Sequence, residues 1–470
     1  MRKLLPLLLP VLGFGASPLL EIESVIDLAR NAPAEAGADA LIRVAALDQV
    51  PRKRKIELLE QAFELASEAP QPYKRRSGLS RTIGPSGFLN RAYQQDLDAD
   101  SLQLRAVEGL LPLDSLKARQ RFQEIIPLQL PPLTCDDFLV YDVDRFYRVL
   151  GRVASQSFTG KELRDGEPAK FLARYLARIS SPVEVAPAAQ MLGTAALTDA
   201  EFQSLVTAFA GTLGQISGDD RSFTYAAGQA GAAIQELAEI EKKRQTSPGV
   251  LLEAYRRFLV NHLAGTRCAD GEAAGPAIFF NEKLQAPPLQ PIDESESKPS
   301  KVEGKAKGLE WGQSPECESI RDQYRTLMTK ENGEVYQPRE RAQDQWQARV
   351  RDFLSALAAW TQSSGATAAE HFREKIGFYN DVFAMVPDGP TRDFVLRSLV
   401  SFLSQSRLPP ENRLEWWLPV SQLVGRVALD PLGAAHLAED LRSTNDPSIT
   451  LYLALEVLAP RPAGQIMLLL

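Results

Sequence analysis

The chain has 470 residues, 44% of them hydrophobic and 24% charged, with 53 Lys and Arg against 60 Asp and Glu for a formal net charge of −7. Those fractions exclude a disordered, collagen-like or disulfide-dense chain. Net acidity speaks against nucleic-acid binding, and three Cys and three His in the whole length leave little for a metal centre or a His-based catalyst.

The first element is a leader. Met1-Arg2-Lys3 precedes an apolar run from Leu4 to Leu12 and then Gly13-Phe14-Gly15-Ala16-Ser17. A basic start, a short apolar core and a small-residue exit are the pattern of a secretory signal peptide over residues 1–17. Pro6 and Pro10 argue against a buried helix there. The run is too short for a transmembrane anchor, which needs about 20 apolar residues. An exported protein, periplasmic or secreted, is expected.

From there the readable elements are helices. In 51–68, Ile56, Leu59, Phe63 and Ala66 recur at helical spacing while Glu57, Glu60, Glu64 and Glu68 take the other side. The same texture marks 21–31, 34–47, 101–111, 115–126, 144–155, 167–179, 199–214, 223–243 and 248–263. It returns in 317–330, 339–362, 366–386, 391–404, 412–427 and 433–441. Alternating strand patterns are missing apart from the short 138–141. The expected class is all-α. Connections of two to eight residues, punctuated by Pro51, Pro112, Pro168, Pro187, Pro387, Pro390 and Pro431, force successive helices side by side. So many hairpins cannot share one centre, so they must stack as a layered solenoid or divide between two bundles.

Leu59, Phe63, Ala66 and Pro70, echoed by Ala118, Phe122, Ile125 and Pro127, resemble the second helix of tetratricopeptide repeats. The first-helix Trp, Leu-Gly and Tyr positions of that family are not met, and no 34-residue period runs along the chain. The resemblance spans about 100 residues and implies stacked helical hairpins, nothing finer.

Two stretches break the helical texture. Residues 69–99, with Pro70, Pro72, Gly78, Gly84, Pro85 and Gly87, read as a surface loop. Residues 285–312, rich in Pro and mixed charge, read as a disordered linker between an N-terminal helical domain, 18–284, and a C-terminal one, 313–470. Cys268 and Cys317 flank this linker, and in an oxidising compartment they are candidates for a disulfide. Closing a loop of that size contributes about 4 kcal/mol in the chain-entropy model. Cys135 is left over and is expected to be buried.

No constellation for chemistry emerges. The G-x-S-x-G elbow and the Gly-Lys-Ser/Thr phosphate loop are both missing. Ser295-x-x-Lys298 falls in the linker. Asp142-Val143-Asp144 matches only the opening of a calcium loop and reads better as a helix N-cap. His262 reads as a packing residue near a helix end, His371 as a surface ion-pairing residue beside Glu370 and Glu374, and His436 as the partner of Asp440. Glu318-Ser319 with Arg321 resembles the catalytic Glu-Ser pair of lytic transglycosylases, but the downstream Gly-Leu-Met-Gln type signature is missing, so no activity is read from it. No catalytic, cofactor-binding or metal-binding residue is assigned, and no cofactor is expected.

Binding is the remaining theme. Trp416 and Trp417, about 100° apart on one helix, cannot both face one core centre, so one is expected to line a groove. Arg52, Lys53, Arg54, Lys55, Lys74, Arg75, Arg76 and Arg81 concentrate positive charge that could face an anionic surface, with Arg75 and Arg76 at its centre. The expected function is a non-catalytic helical scaffold with protein partners in the cell envelope or outside. The alternative is an envelope enzyme or carbohydrate binder that uses carboxylates.

Overall fold

The computed structural model describes residues 18–76, 96–134, 137–218, 221–265, 274–293, 295–296, 315–330, 332–363 and 366–406, together with positions 408, 416 and 451. Among these the class is all-α. The N-terminal helices are α1 (Pro18–Arg30), α2 (Ala34–Ala46), α3 (Arg52–Ala66), α4 (Ala99–Leu110), α5 (Ser115–Glu124) and α6 (Val143–Gln156). They continue with α7 (Gly160–Arg164), α8 (Glu167–Leu176), α9 (Val185–Thr194), α10 (Asp199–Leu213), α11 (Ser222–Lys243), α12 (Gly249–Leu263) and α13 (Ala274–Phe279), the last running into a π-helical turn. Then come α14 (Pro315–Met328), α15 (Pro338–Arg341), α16 (Asp344–Ala359), α17 (Ala368–Met385) and α18 (Pro390–Gln405).

One ribbon interrupts the helices. β1 (Lys74–Arg76) pairs antiparallel with β2 (Asp137–Leu139), in the register Lys74 to Leu139, Arg75 to Phe138 and Arg76 to Asp137. The short strand pattern at 138–141 is therefore half right. The stretch expected to be loop from residue 69 carries its partner, and Lys74 Nζ lies 3.0 Å from Asp137 Oδ2.

Several helices start where a side chain can take orphan N–H groups. Asp98 accepts from Ser101 N at 2.9 Å, Asp114 from Lys117 N at 3.0 Å and Asp142 from Arg145 N at 3.1 Å. Asp142 is thus the cap, a choice between Asp142 and Asp144 that the sequence left open. Thr159 with Glu162, Thr198 with Glu201 and Thr367 with Glu370 form reciprocal capping boxes. Gly37 lets α2 approach α1 closely, since a Cβ there would collide with the Ala29 carbonyl.

The helix α9 lies where the sequence showed only punctuation. Pro187 does not end a helix but stands in the first turn of α9, where its missing N–H removes no helical bond. Pro168 occupies the first turn of α8 in the same way.

Packing is alternate. α2 packs on α4, α4 on α6, α6 on α8, α8 on α10 and α10 on α12, an unbroken row of next-but-one neighbours. Beside it α9 packs on α11 and α11 on α13, and toward the C-terminus α14 packs on α16 and α16 on α18. Buried apolar side chains run as one cluster from Ile22 to Leu451. Leu59, Phe63, Ala66, Ala118, Phe122 and Ile125, the residues that carry the repeat resemblance, are all core. Phe122 meets Phe146 at 5.6 Å, Phe171 at 6.0 Å and Tyr175 at 5.4 Å between ring centroids, so it joins three helices.

The opening of the expected linker is tied down. Arg256 on α12 donates to the carbonyls of Gln290 (2.7 Å) and Pro291 (3.1 Å) and pairs with Glu296 at 2.8 Å. Asn281 brackets the Ile292 backbone with two 2.8 Å bonds. Side-chain partners for its backbone give residues 285–293 a fixed course that composition does not show. Residues 297–314 lie outside the described residues.

Candidate functional site

The residues singled out from sequence fall into three groups. Cys135, Cys268, Lys298, Trp417, Arg81, His436 and Asp440 lie outside the described residues, as does the 1–17 leader. Arg75 and Arg76 are placed by backbone only, on β1. The remainder are placed in full, and most are structural.

Of the Trp pair, Trp416 is the inward one: it is 8% exposed and its indole N–H donates to the Leu403 carbonyl at 3.0 Å, so it fills the core beside α18, and the expected groove residue would be Trp417. A buried indole needs an acceptor, and the end of α18 supplies one. His262 is fully buried between Phe223 and Phe258, with Nδ1 2.8 Å from the Phe258 carbonyl. It is a packing residue, as its place on the helical stripe implied. Cys317 is buried on α14, and burial pushes its thiol up. Glu318 lies 3.8 Å from Arg321, which also reaches Glu374 on α17 at 3.8 Å. The basic stretch is partly neutralised: Arg54 pairs with Glu23 at 2.8 Å and Lys74 with Asp137.

Two clusters hold the groups whose protonation the fold perturbs. The first forms where the segment before β1 meets the start of α4. Tyr73 Oη donates to Asp100 Oδ2 at 2.7 Å, Gln71 Oε1 accepts from the Asp100 N–H at 2.7 Å, and Tyr73 stacks edge-on against Tyr141 at 5.4 Å. Asp98 and Asp100 are both 7% exposed. Burial raises the Asp100 carboxyl to about 6, the Tyr73 hydrogen bond opposing and the Asp98 charge assisting. Burial raises Asp98 too, against its bonds to Ser101. On α11 the lone carboxyl of Glu241, 3% exposed, is raised to about 7 by burial, and its Oε2 has no hydrogen-bond partner.

The second cluster joins α16 to α17. Lys375 is 6% exposed; its ammonium donates to the carbonyls of Ala358 (3.0 Å) and Trp360 (2.7 Å) and lies 5.3 Å from the Phe402 ring centre. It therefore satisfies the last carbonyls of α16 from a neighbouring helix. Burial lowers it to about 8. His371, one turn earlier, meets Trp360 edge-on at 4.6 Å, and burial, then Lys375, lowers it to about 4. Its expected surface ion pair is not formed: Glu370 caps Thr367 and Glu374 faces Arg321. The apolar wall of Trp360 decides this, because charge on the imidazole would be poorly solvated there.

Sequence reasoning missed both clusters. The Asp96-Leu97-Asp98-Ala99-Asp100 run before a helix signals a cap, but only the fold brings Tyr73 to it. Glu241 continues the stripe of Ile234, Leu237 and Ala238 and could have been found as a charge on an apolar face.

Among the described residues no group of three or more His, Cys, Asp and Glu is arranged to hold a metal ion. Among the same residues no helix is long and apolar enough to cross a membrane. No protein-family model matches the chain, and no curated protein matches it.

Proposed function

We propose that this chain is an exported, non-catalytic α-helical scaffold that holds protein partners in the cell envelope or outside. The observation that carries the reading is the row α2–α4–α6–α8–α10–α12, in which every second helix touches. A chain folded this way extends by adding layers, as solenoid and tetratricopeptide-like proteins do, and an extended face suits the binding of other chains. The perturbed side chains also serve the frame: Asp98 caps α4 and Lys375 caps α16.

In this reading the leader directs export and Cys268 bridges Cys317, fixing α14 to the end of α12 across the linker. Non-reducing peptide mapping of the protein from its native envelope fraction tests both. A linked peptide pair carrying Cys268 and Cys317 and a mature N-terminus near residue 17 support it; an intact leader and two alkylatable thiols contradict it. Affinity capture from the same fraction, with Trp417→Ala and with Arg75→Glu combined with Arg76→Glu, tests binding. A partner retained by the parent protein and lost from one of these variants supports the reading, and a hydrolase activity abolished by one carboxylate substitution sinks it.

One observation favours a second reading, a carbohydrate binder or enzyme using carboxylates. Asp98 and Asp100 form a buried pair in which burial raises Asp100 to about 6, toward the range that suits a general acid. Binding to cell-wall glycans that disappears with Asp100→Asn, in a variant that melts as the parent does, would establish it. Unchanged binding, or none, removes it.

A further inference from the structure

The junction of α16 and α17 concentrates features that a simple helix joint does not need. Trp360 is 5% exposed, yet its indole N–H has no hydrogen-bond partner. The hydroxyl of Ser363 on the connection is buried without a partner as well, and the Nδ1 of His371, on α17, is buried without a well-formed hydrogen bond, the Trp360 backbone being the group that opposes the lowering of its imidazole. Such atoms cost stability in the closed form, because water would satisfy each of them on opening. Against this the joint is held by Lys375 on the carbonyls of Ala358 and Trp360 and by the edge-on contact of His371 with Trp360.

We propose that this joint is an acid-sensitive latch, closed while His371 is neutral and released when His371 takes up a proton beside Lys375. The two cations would then stand one turn apart on α17, His371 against the Trp360 ring and Lys375 at the Trp360 carbonyl. The surrounding charges do not relieve that pairing. On α17, Glu370 Oε2 already accepts from the Thr367 N–H (2.9 Å) and hydroxyl (2.8 Å), and Glu374 faces Arg321. Arg373, also on α17, adds positive charge. α14 brings Arg321 and the hydroxyl of Tyr324, the latter at Asp381. α16 brings the Ala358 and Trp360 carbonyls, which Lys375 occupies, and α18 brings the apolar Phe402 ring, stacked on Phe372 at 5.4 Å.

The direction follows from proton linkage. His371 binds its proton more weakly in the closed form than in the open one, so its contribution to the latch is complete above the ordinary imidazole range near 6.5 and is lost as pH falls toward about 4. Lys375 acts in the same sense at higher pH: the closed form also holds its proton weakly, so acidification from about 10.5 to about 8 costs latch stability. Opening uncovers Trp360 and frees α17 from the end of α16, which is a way to make partner binding depend on mild acid.

Hydrogen exchange of the full chain at pH 7 and pH 5, corrected for intrinsic exchange rates, tests the proposal on peptides covering 356–376. The parent protein should lose protection there by about tenfold or more at pH 5, and His371→Gln should lose much less. Equal losses in both, or no loss in the parent, overturn it. Should His371→Gln fold poorly, an NMR titration of the parent protein's imidazoles decides: a His371 midpoint well below 6 supports the latch, and a midpoint at 6.5 refutes it.

Discussion

The N-terminal helices, with acids buried at two separate places, the start of α4 and the end of α11, and the joint of α16 with α17 bury titratable groups by the same physics and gain opposite pH responses. In the first part the groups are acids. Asp100 and Glu241 are pushed up to about 6 and about 7, so this part binds protons more tightly folded than unfolded. Its stability is complete below the ordinary carboxylate range and is lost as pH rises through 6 to 7. In the second region the groups are bases. His371 and Lys375 are lowered to about 4 and about 8, so stability there is lost as pH falls. Burial sets the size of each shift, and the choice of acid or base sets its sign.

The strongest way to break this comparison is to delete Lys375. Lys375→Ala leaves the Ala358 and Trp360 carbonyls without their donor and should destabilise the α14–α18 region by about 2–4 kcal/mol, read by urea unfolding. It should also raise the His371 midpoint, since Lys375 is the charge that lowers it after burial. An unshifted midpoint would show that burial alone governs His371.

Glu241→Gln sharpens the other side. It removes a carboxyl whose charge is unwelcome, and should stabilise the protein by up to about 2–3 kcal/mol at pH 7 and hardly at all at pH 4.5. A gain that does not change between these pH values would mean that Glu241 ionises freely in the fold. Asp100→Asn keeps an acceptor for Tyr73 and should give a smaller gain at pH 7, about 1–2 kcal/mol, fading below pH 4. The smallest effect serves as a reference: Asp142→Ala removes the α6 cap for about 1 kcal/mol, with the same loss at pH 5 and pH 7. A pH-dependent loss there would show that the chain's response is global and not divided by region.

Most of the architecture was legible in the sequence because amphipathic helices repeat their apolar spacing every turn. The span of α2 and the stripe of Leu59, Phe63 and Ala66 could be read directly, as could a cap at Asp142 or Asp144. α9 could not, since Val185, Ala186, Pro187, Ala188 and Ala189 are apolar on all sides and carry two signals usually taken for a break: a proline and no polar face. The pinned course of 285–293 was hidden because Arg256 comes from an element already read as a closed helix and Asn281 from a turn that no periodicity marked. The clusters were less legible still. Tyr73 meets Asp100 only after β1 pairs with β2, and Lys375 reaches Trp360 only after α17 folds back on α16. Spacing along one helix reports its faces, not what a neighbouring element presents to them.

The most direct test of the divided response is hydrogen exchange measured region by region on one sample of the full chain at pH 7 and pH 5, corrected for intrinsic rates. The account predicts that peptides from α4 and α11 become more protected at pH 5 while those spanning the α16–α17 joint become less protected. Movement of both regions in the same direction would contradict it.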